Sequence, residues 1–193
     1  MSRYDSLSVN GKPSSMPSIE DRLQQLEDRI AIQDLAAEYC RAIDDRDLEA
    51  FLDTYTDDCV LRYKDGAMRI DGKSDLREYY TNRFMQYGLT FHYPHAHVIT
   101  FDGPDNAHGW LSGHAEMGLS GEGWLAAFRY TDIYRRESTG WRFAERELAA
   151  WYYMKIADLP AGMGQTMRKH YHGELMAAEL PESMDTYKAM HNL

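Results

Sequence analysis

Residues 91–119 read FHYPHAHVITFDGPDNAHGWLSGHAEMGL. Two runs with strand-like alternation, 91–101 and 107–119, flank the turn-forming residues DGPDN, which predicts a hairpin of two long antiparallel strands. Comparable runs follow at 124–136 and 141–153, each after a turn rich in glycine and serine. Four consecutive strands joined by short turns favour a meandering antiparallel sheet over the alternating strands and helices of a parallel one.

The chain before this sheet has helical periodicity. Apolar residues recur every three to five positions over 18–44, and Ser18 with Asp21 resembles a capping box at the start. A second helix is predicted over 47–55, with Asp47 placed to cap it. Two amphipathic helices therefore precede the sheet.

A short hairpin and a third helix complete this region. Strands are predicted at 59–63 and 68–70 around an Asp-Gly turn, and a helix at 74–87 with Ser74 as its cap. The expected class is α+β: a cone-shaped, curved mixed or antiparallel sheet on three N-terminal helices.

The chain divides into three segments. Residues 1–17 are rich in serine, glycine and proline and predict a flexible arm, while 18–157 form the cone domain. Residues 158–193 are expected as a C-terminal helical extension. The Met-rich stretch 165–180 within it is expected to pack on the cone or to cross a subunit boundary.

Length and charge restrict the classes of function. The 193 residues suit one main domain, and a net charge of −10 without a basic block argues against nucleic-acid or anionic-membrane partners. No apolar run approaches the ~20 residues of a membrane helix. Cys40 and Cys59 do not form a metal-type pair and favour buried thiols in a cytoplasmic protein.

Three histidines on the first long strand are candidates for chemistry. On a regular strand His95 and His97 share one face and His92 takes the other, although Pro94 can introduce a bulge. The pair His95 and His97 could chelate zinc or iron, as in the metal box of cupins, but the glutamate expected downstream is missing. General acid–base chemistry and a structural role remain the other two interpretations.

Acidic and phenolic side chains offer further candidates. Asp44 ends the first helix, where it is either solvated or turned inward to hold a histidine. Tyr39 and Tyr63 either pack in the core or donate hydrogen bonds to a substrate oxygen. Spacing alone does not decide between these interpretations.

Several short motifs, in their order and spacing, resemble the SnoaL-like branch of the nuclear transport factor two superfamily over about residues 19–156. They are YCRAID at 39–44, FLDTYTDD at 51–58, His92 followed by VITFDG at 98–103, and YTDIYRR at 130–136 leading to WRF at 141–143. Within this branch the chain is most similar to the scytalone dehydratases and the bile-acid 7α-dehydratases.

The resemblance implies a catalytic set. Asp44 and His92 match the Asp/His pair of both groups, and Tyr63 and Tyr39 match functional tyrosines. The further catalytic residues of those enzymes fall near Met117 and on Ala115 and Ala150, which leaves the group that assists the departing hydroxyl unassigned. Possible substitutes, if register or strand face differs, are His114, Glu116 and Arg146.

These observations predict a cofactor-independent dehydratase or isomerase that acts on a hydrophobic, oxygenated ring compound such as a steroid, polyketide or aromatic metabolite. His92 would be the base, Asp44 its orienting partner, and Tyr63 and Tyr39 donors to the developing enolate. No metal or other cofactor is expected. Substrate-binding side chains are predicted to be Phe84, Trp110, His114 and Trp151.

Two alternatives belong to different classes. The chain could be a non-catalytic small subunit of a ring-hydroxylating dioxygenase, or a ligand-binding module on the same fold. The resemblance also implies a homo-oligomer, either a trimer or a dimer.

Overall fold

The computed structural model describes residues 16–171 and 173–193, so the arm predicted for 1–17 lies almost wholly outside the described residues. The helices are α1 (Ile19–Asp44), α2 (Leu48–Asp53), α3 (Lys73–Gln86), α4 (Leu159–Gly162) and α5 (Asp185–His191). The strands are β1 (Tyr55–Tyr63), β2 (Arg69–Asp71), β3 (Tyr87–Phe101), β4 (Asn106–Leu119), β5 (Glu122–Glu137), β6 (Gly140–Lys155), β7 (Met167–Tyr171) and β8 (Glu174–Ala177).

One curved sheet contains all eight strands. Its main path runs β2-β1-β6-β5-β4-β3, with β7 added beside β6 and β8 beside β7. The pairs within the meander are antiparallel, whereas β1 and β7 both run parallel to β6. The α+β class with a curved mixed sheet is thereby confirmed.

Helix α1 begins as the sequence predicts, but its first three turns extend past the core. The Ser18 hydroxyl accepts from the Asp21 backbone N–H at 3.0 Å, and the Asp21 carboxylate accepts from the Ser18 N–H at the same distance. Leu23, Leu26 and Ile30 are more than half exposed, and the buried apolar face starts at Ile32. None of the described helices combines the length and apolarity needed to cross a membrane.

The two shorter helices differ in how they start. Asp47 caps α2 by accepting from the Ala50 N–H at 3.1 Å, as predicted. The predicted cap Ser74 is wrong, because the N-cap of α3 is Gly72, two residues before Ser74. Gly72 has φ +83°, a conformation that glycine adopts without strain, and it turns the chain directly into the helix.

The core lies between the helices and the concave face of the sheet. Phe51, Tyr55 and Phe143 are at most 1% exposed, and Tyr39 joins them with ring centroids 5.6 to 6.2 Å away. Each such aromatic pair contributes about 0.5–1.5 kcal/mol beyond its buried area. This cluster fixes α1 and α2 against β1 and β6.

The C-terminal extension ends in the short helix α5, but the stretch 165–180 forms the β7–β8 hairpin and not a helix. The hairpin continues the sheet of its own chain, with Lys169 paired to Tyr153 of β6. Its buried groups are charged: Lys169 is 2% exposed and Arg168 7%, whereas Met167 is 48% exposed. The segment packs on the cone through its ion pairs, through the rings of His170 and Tyr171 and through the buried Leu180, whereas Met167 is half exposed.

Candidate active site

Asp44 and His92 are in direct contact at the junction of α1 and β3. Asp44 Oδ1 lies 2.7 Å from His92 Nδ1, and Asp44 Oδ2 accepts the backbone N–H of His92 at 2.8 Å. The side chain of His92 is only 12% exposed and that of Asp44 only 14%. Because the carboxylate can only accept, Nδ1 carries the proton in the neutral imidazole, and the lone pair is on Nε2.

The turn after α1 holds these two residues together. Arg46 has φ +63°, and its guanidinium donates to the carbonyl oxygens of Ile43 at 2.7 Å and Gly88 at 2.9 Å. It also donates to the Thr90 hydroxyl, two residues before His92. Arg46 therefore ties the end of α1 to the start of β3, a positioning role that nothing in the sequence pattern indicated.

A cavity of about 100 Å³ opens beside His92, between the helices and the sheet. Its walls are mostly aromatic and aliphatic, and His92 lies on its surface. Eight tyrosines contribute to the lining: Tyr39, Tyr63, Tyr79, Tyr80, Tyr87, Tyr130, Tyr152 and Tyr153.

Both predicted tyrosine donors face this cavity. Tyr39 also contacts Tyr130, with 3.4 Å between the two hydroxyl oxygens. Burial raises the pKa of Tyr39 well above its ordinary value and raises the pKa of Tyr63 in the same way. Both phenols therefore remain protonated near neutral pH and can act as hydrogen-bond donors.

Only one of the four predicted substrate-binding residues lines the cavity. Phe84 does, whereas Trp110 and Trp151 lie on the outer face of the sheet, where both rings cover the Arg129 guanidinium at 5.1 and 5.6 Å. His114 is on the same outer face, so these three placements correct the prediction. The cause is strand alternation, since the inward residues of β4 are the odd-numbered ones such as Ala115.

A register shift in β3 separates the three histidines. Between Pro94 and His97, β3 contains one more residue than β4, so His97 points inward like His92. His95 stays outside, with its Nε2 2.7 Å from Nδ1 of His114. The expectation that His95 and His97 share a face is therefore wrong, and the two cannot chelate one ion.

His97 belongs to a buried polar network. Its Nε2 lies 2.9 Å from the Tyr134 hydroxyl, which donates to Asp132 at 2.9 Å, and Asp132 in turn pairs with Arg146. Burial lowers the pKa of His97, which favours its neutral form. This network makes His97 a structural residue.

The residues proposed from the sequence to assist the departing hydroxyl do not reach the cavity. Arg146 points inward but is fully buried against Asp132, and Glu116 is on the outer face beside Tyr93. Met117, Ala115 and Ala150 do line the cavity and make that wall apolar.

Besides Arg46 and Thr90, sequence reasoning missed three further polar residues at the cavity. Arg83 comes from α3, and Lys169 and His170 come from β7. The two residues of β7 could not be found, because their segment was interpreted as a helix. The described part of the chain contains no group of three His, Cys, Asp or Glu side chains that could hold a metal ion.

The sequence matches the SnoaL-like domain family over residues 24–147. The chain belongs to the SnoaL-like family. Among curated proteins, none matches this SnoaL-like chain significantly.

Solved structures with the same fold agree with this assignment. A hexachlorocyclohexane dehydrochlorinase (LinA, type 2) is 23% identical with a TM-score of 0.65, over 70% of this chain and 93% of that one. A proposed aromatic ring hydroxylase from Novosphingobium aromaticivorans is 28% identical with a TM-score of 0.64, over 69% and 96%. A proposed scytalone dehydratase from the same organism is 18% identical with a TM-score of 0.67, over 81% and 95%.

Proposed function

We propose that this SnoaL-like protein is a cofactor-independent dehydratase or isomerase in which His92 and Asp44 perform general acid–base chemistry. The observation that carries the proposal is the two-point contact between them: one carboxylate oxygen binds Nδ1 and the other binds the backbone of the same residue. This contact fixes the tautomer and the ring orientation, and it leaves Nε2 as the basic nitrogen at a mostly apolar cavity.

The reaction starts at a carbon acid. Nε2 of His92 removes a proton next to a carbonyl or enone, and the Asp44 carboxylate stabilises the resulting imidazolium. The electron pair moves to the carbonyl oxygen, where the hydroxyls of Tyr39 and Tyr63 donate to the enolate. In a dehydration the enolate then expels a β-hydroxyl group, which takes the proton from His92 and leaves as water. In an isomerisation the proton returns to another carbon.

The size of the cavity favours a compact substrate. Its volume is about 100 Å³, which is nearer to that of benzene-binding cavities, about 150 Å³, than to the ~300–1,000 Å³ of pockets for drug-sized ligands. A single oxygenated ring is therefore a better substrate candidate than a steroid. The names of two structural neighbours, a dehydrochlorinase and a dehydratase, support an elimination.

The test is a turnover assay with cyclic β-hydroxy ketones and enones, in which product formation is followed by ultraviolet absorbance. Wild-type protein is expected to convert at least one single-ring compound. The His92→Ala variant is expected to be nearly inactive while its circular dichroism spectrum is unchanged. Equal turnover by both proteins would reject the proposed base.

A second candidate is a non-catalytic subunit. It is favoured by exposed apolar side chains on the outer face of the sheet, where Leu89, Phe91 and Val98 are 61%, 47% and 46% exposed. Self-association into a dimer or trimer would use the same surface. Light scattering on the purified chain distinguishes self-association from a small-subunit role. A homo-oligomer has a fixed multiple of the monomer mass, whereas a small subunit requires its large partner to form a complex.

A further inference from the structure

The charges at the cavity are opposite in sign to the charge of the whole protein. The chain carries a net charge of −10, yet Arg46, Arg83 and Lys169 line the cavity, and no aspartate or glutamate does so among the described residues. Such a local reversal of charge attracts anionic ligands.

Two of these three cations are already satisfied by the protein. Lys169 Nζ contacts Glu179 at 2.5 Å and Asp65 at 2.6 Å, both carboxylates outside the cavity lining. The Arg46 guanidinium donates to backbone carbonyl oxygens and to the Thr90 hydroxyl. The protein therefore already uses most of the N–H groups of both side chains.

Arg83 is in a different situation. Of its five N–H groups, one donates to the Tyr79 hydroxyl at 3.2 Å, and this is its only hydrogen bond among residues 16–171 and 173–193. The guanidinium also covers the Tyr87 ring at 4.9 Å. No carboxylate of the described chain lies within ion-pairing distance of it. The Arg83 guanidinium therefore lies at the mostly apolar cavity with four N–H groups that no described residue accepts, and these groups are available to the acceptor atoms of a ligand.

We propose that Arg83 binds a carboxylate group of the ligand, so that the molecule bound in this cavity is a ring compound carrying one carboxylic acid. The planar guanidinium presents parallel N–H groups that match the two oxygens of a carboxylate. One such group would pair with the Arg83 guanidinium, and the tyrosine rings and aliphatic walls would accommodate the ring. The inference rests on the proposed function only where it identifies this ligand as the substrate. The binding of a carboxylate by Arg83 does not depend on the proposed function.

Equilibrium binding tests the inference without any turnover. Isothermal titration calorimetry compares benzoate with its neutral isostere benzamide, and with phenyl phosphate and benzenesulfonate. Wild-type protein is expected to bind benzoate at least about 10-fold more tightly than benzamide, and Arg83→Gln is expected to lose about 10- to 100-fold in benzoate affinity only. The matched control is Arg77→Gln on the same helix, because Arg77 is paired with Glu49 at the surface.

Several outcomes would overturn the assignment. Equal affinity for benzoate and benzamide, an unchanged benzoate affinity in Arg83→Gln, or tighter binding of the phosphate or sulfonate would each reject it. Asp44→Asn is expected to bind benzoate normally, which separates this inference from the proposed catalysis. A mutation-free check is protection of Arg83 from phenylglyoxal by benzoate, measured by mass spectrometry. Modification at an unchanged rate would reject the inference even if the variants failed to fold.

Discussion

Arg146 and Asp132 form a two-point ion pair in the interior, with Nε to Oδ1 and Nη2 to Oδ2 distances of 2.8 Å and no solvent exposure of either side chain. The guanidinium also lies against the rings of Tyr39 and Tyr130, with centroids 4.3 and 4.0 Å away. Because both tyrosines line the cavity, the pair supports the wall of the candidate site from behind.

Removal of only one partner of this pair should lower the free energy of unfolding substantially. We expect Asp132→Asn to destabilise the fold by about 3–5 kcal/mol, because the Arg146 charge stays buried without its counter-ion. The double variant Asp132→Leu/Arg146→Met should recover most of this loss. Urea unfolding measures both free energies. A double variant that is less stable than Asp132→Asn would contradict this explanation.

The dyad predicts a specific pattern of rates. His92→Ala should lower turnover by about 10²–10⁴, the usual contribution of a general base, and Asp44→Asn should have an effect of the same kind. The double variant should lose little more turnover than either single variant, because His92 and Asp44 act as one unit. His95→Ala is the matched control, since His95 is on the outer face of the same strand. Additive losses in rate would count against the dyad.

Asp28 should contribute to stability in a pH-dependent way. Burial alone would raise the pKa of this carboxyl, but hydrogen bonds from Arg136, Trp141 and Gln24 hold it below its ordinary value. A lowered pKa in the folded state stabilises the protein above the unfolded value of about 3.9, and the effect disappears as the pH falls through the folded value.

Asp28→Asn should therefore cost about 1–3 kcal/mol at pH 7, and the difference from wild type should shrink below about pH 4. Urea unfolding at pH 7, 5 and 3 measures this difference. A gap that stays constant over the three pH values would show that the charge of Asp28 is not responsible.

Lys169 should stabilise the β7–β8 hairpin, whose strand β7 contributes to the cavity lining. We expect Lys169→Met to destabilise the hairpin by about 3–5 kcal/mol, because Glu179 and Asp65 lose their shared cation. Hydrogen exchange should increase first in β7 and β8. Lys155→Met is the control, with an expected cost below about 1 kcal/mol, since the Lys155 pair with Glu122 is at the surface. Equal protection of the hairpin in both variants would contradict this prediction.

Much of the fold was accessible from the sequence because alternation and capping are local signals. The meander β3–β6 and the cap at Ser18 follow from such signals. The β7–β8 hairpin was not predicted, because Arg168 and Lys169 look like surface residues until Glu182, Glu179 and Asp65 are placed beside them. Glu179 lies 10 residues after Lys169 and Asp65 lies 104 residues before it, and only the folded chain shows that all three meet.

The candidate site was accessible only in part. The resemblance pointed to Asp44 and His92, which the fold brings into contact. It could not identify Arg83, an isolated cation in a charged helix, and it could not show that Trp110 and Trp151 face outward. Inward and outward positions depend on the register between strands, which no single segment contains.

The extra residue between Pro94 and His97 separates two parts of β3 in which opposite sets of positions, even-numbered and odd-numbered, face inward. From Thr90 to Pro94, even-numbered residues such as His92 face inward; from His97 to Phe101, odd-numbered ones such as His97 and Ile99 do. Deletion of Ala96 would remove this separation, and one part would have to turn its inner side chains to solvent. Either the imidazole would leave the carboxylate of Asp44 or the core would lose Ile99. Because of the extra residue, substitutions around His92 can change the candidate site while the part of β3 that contains Ile99 keeps its packing in the core.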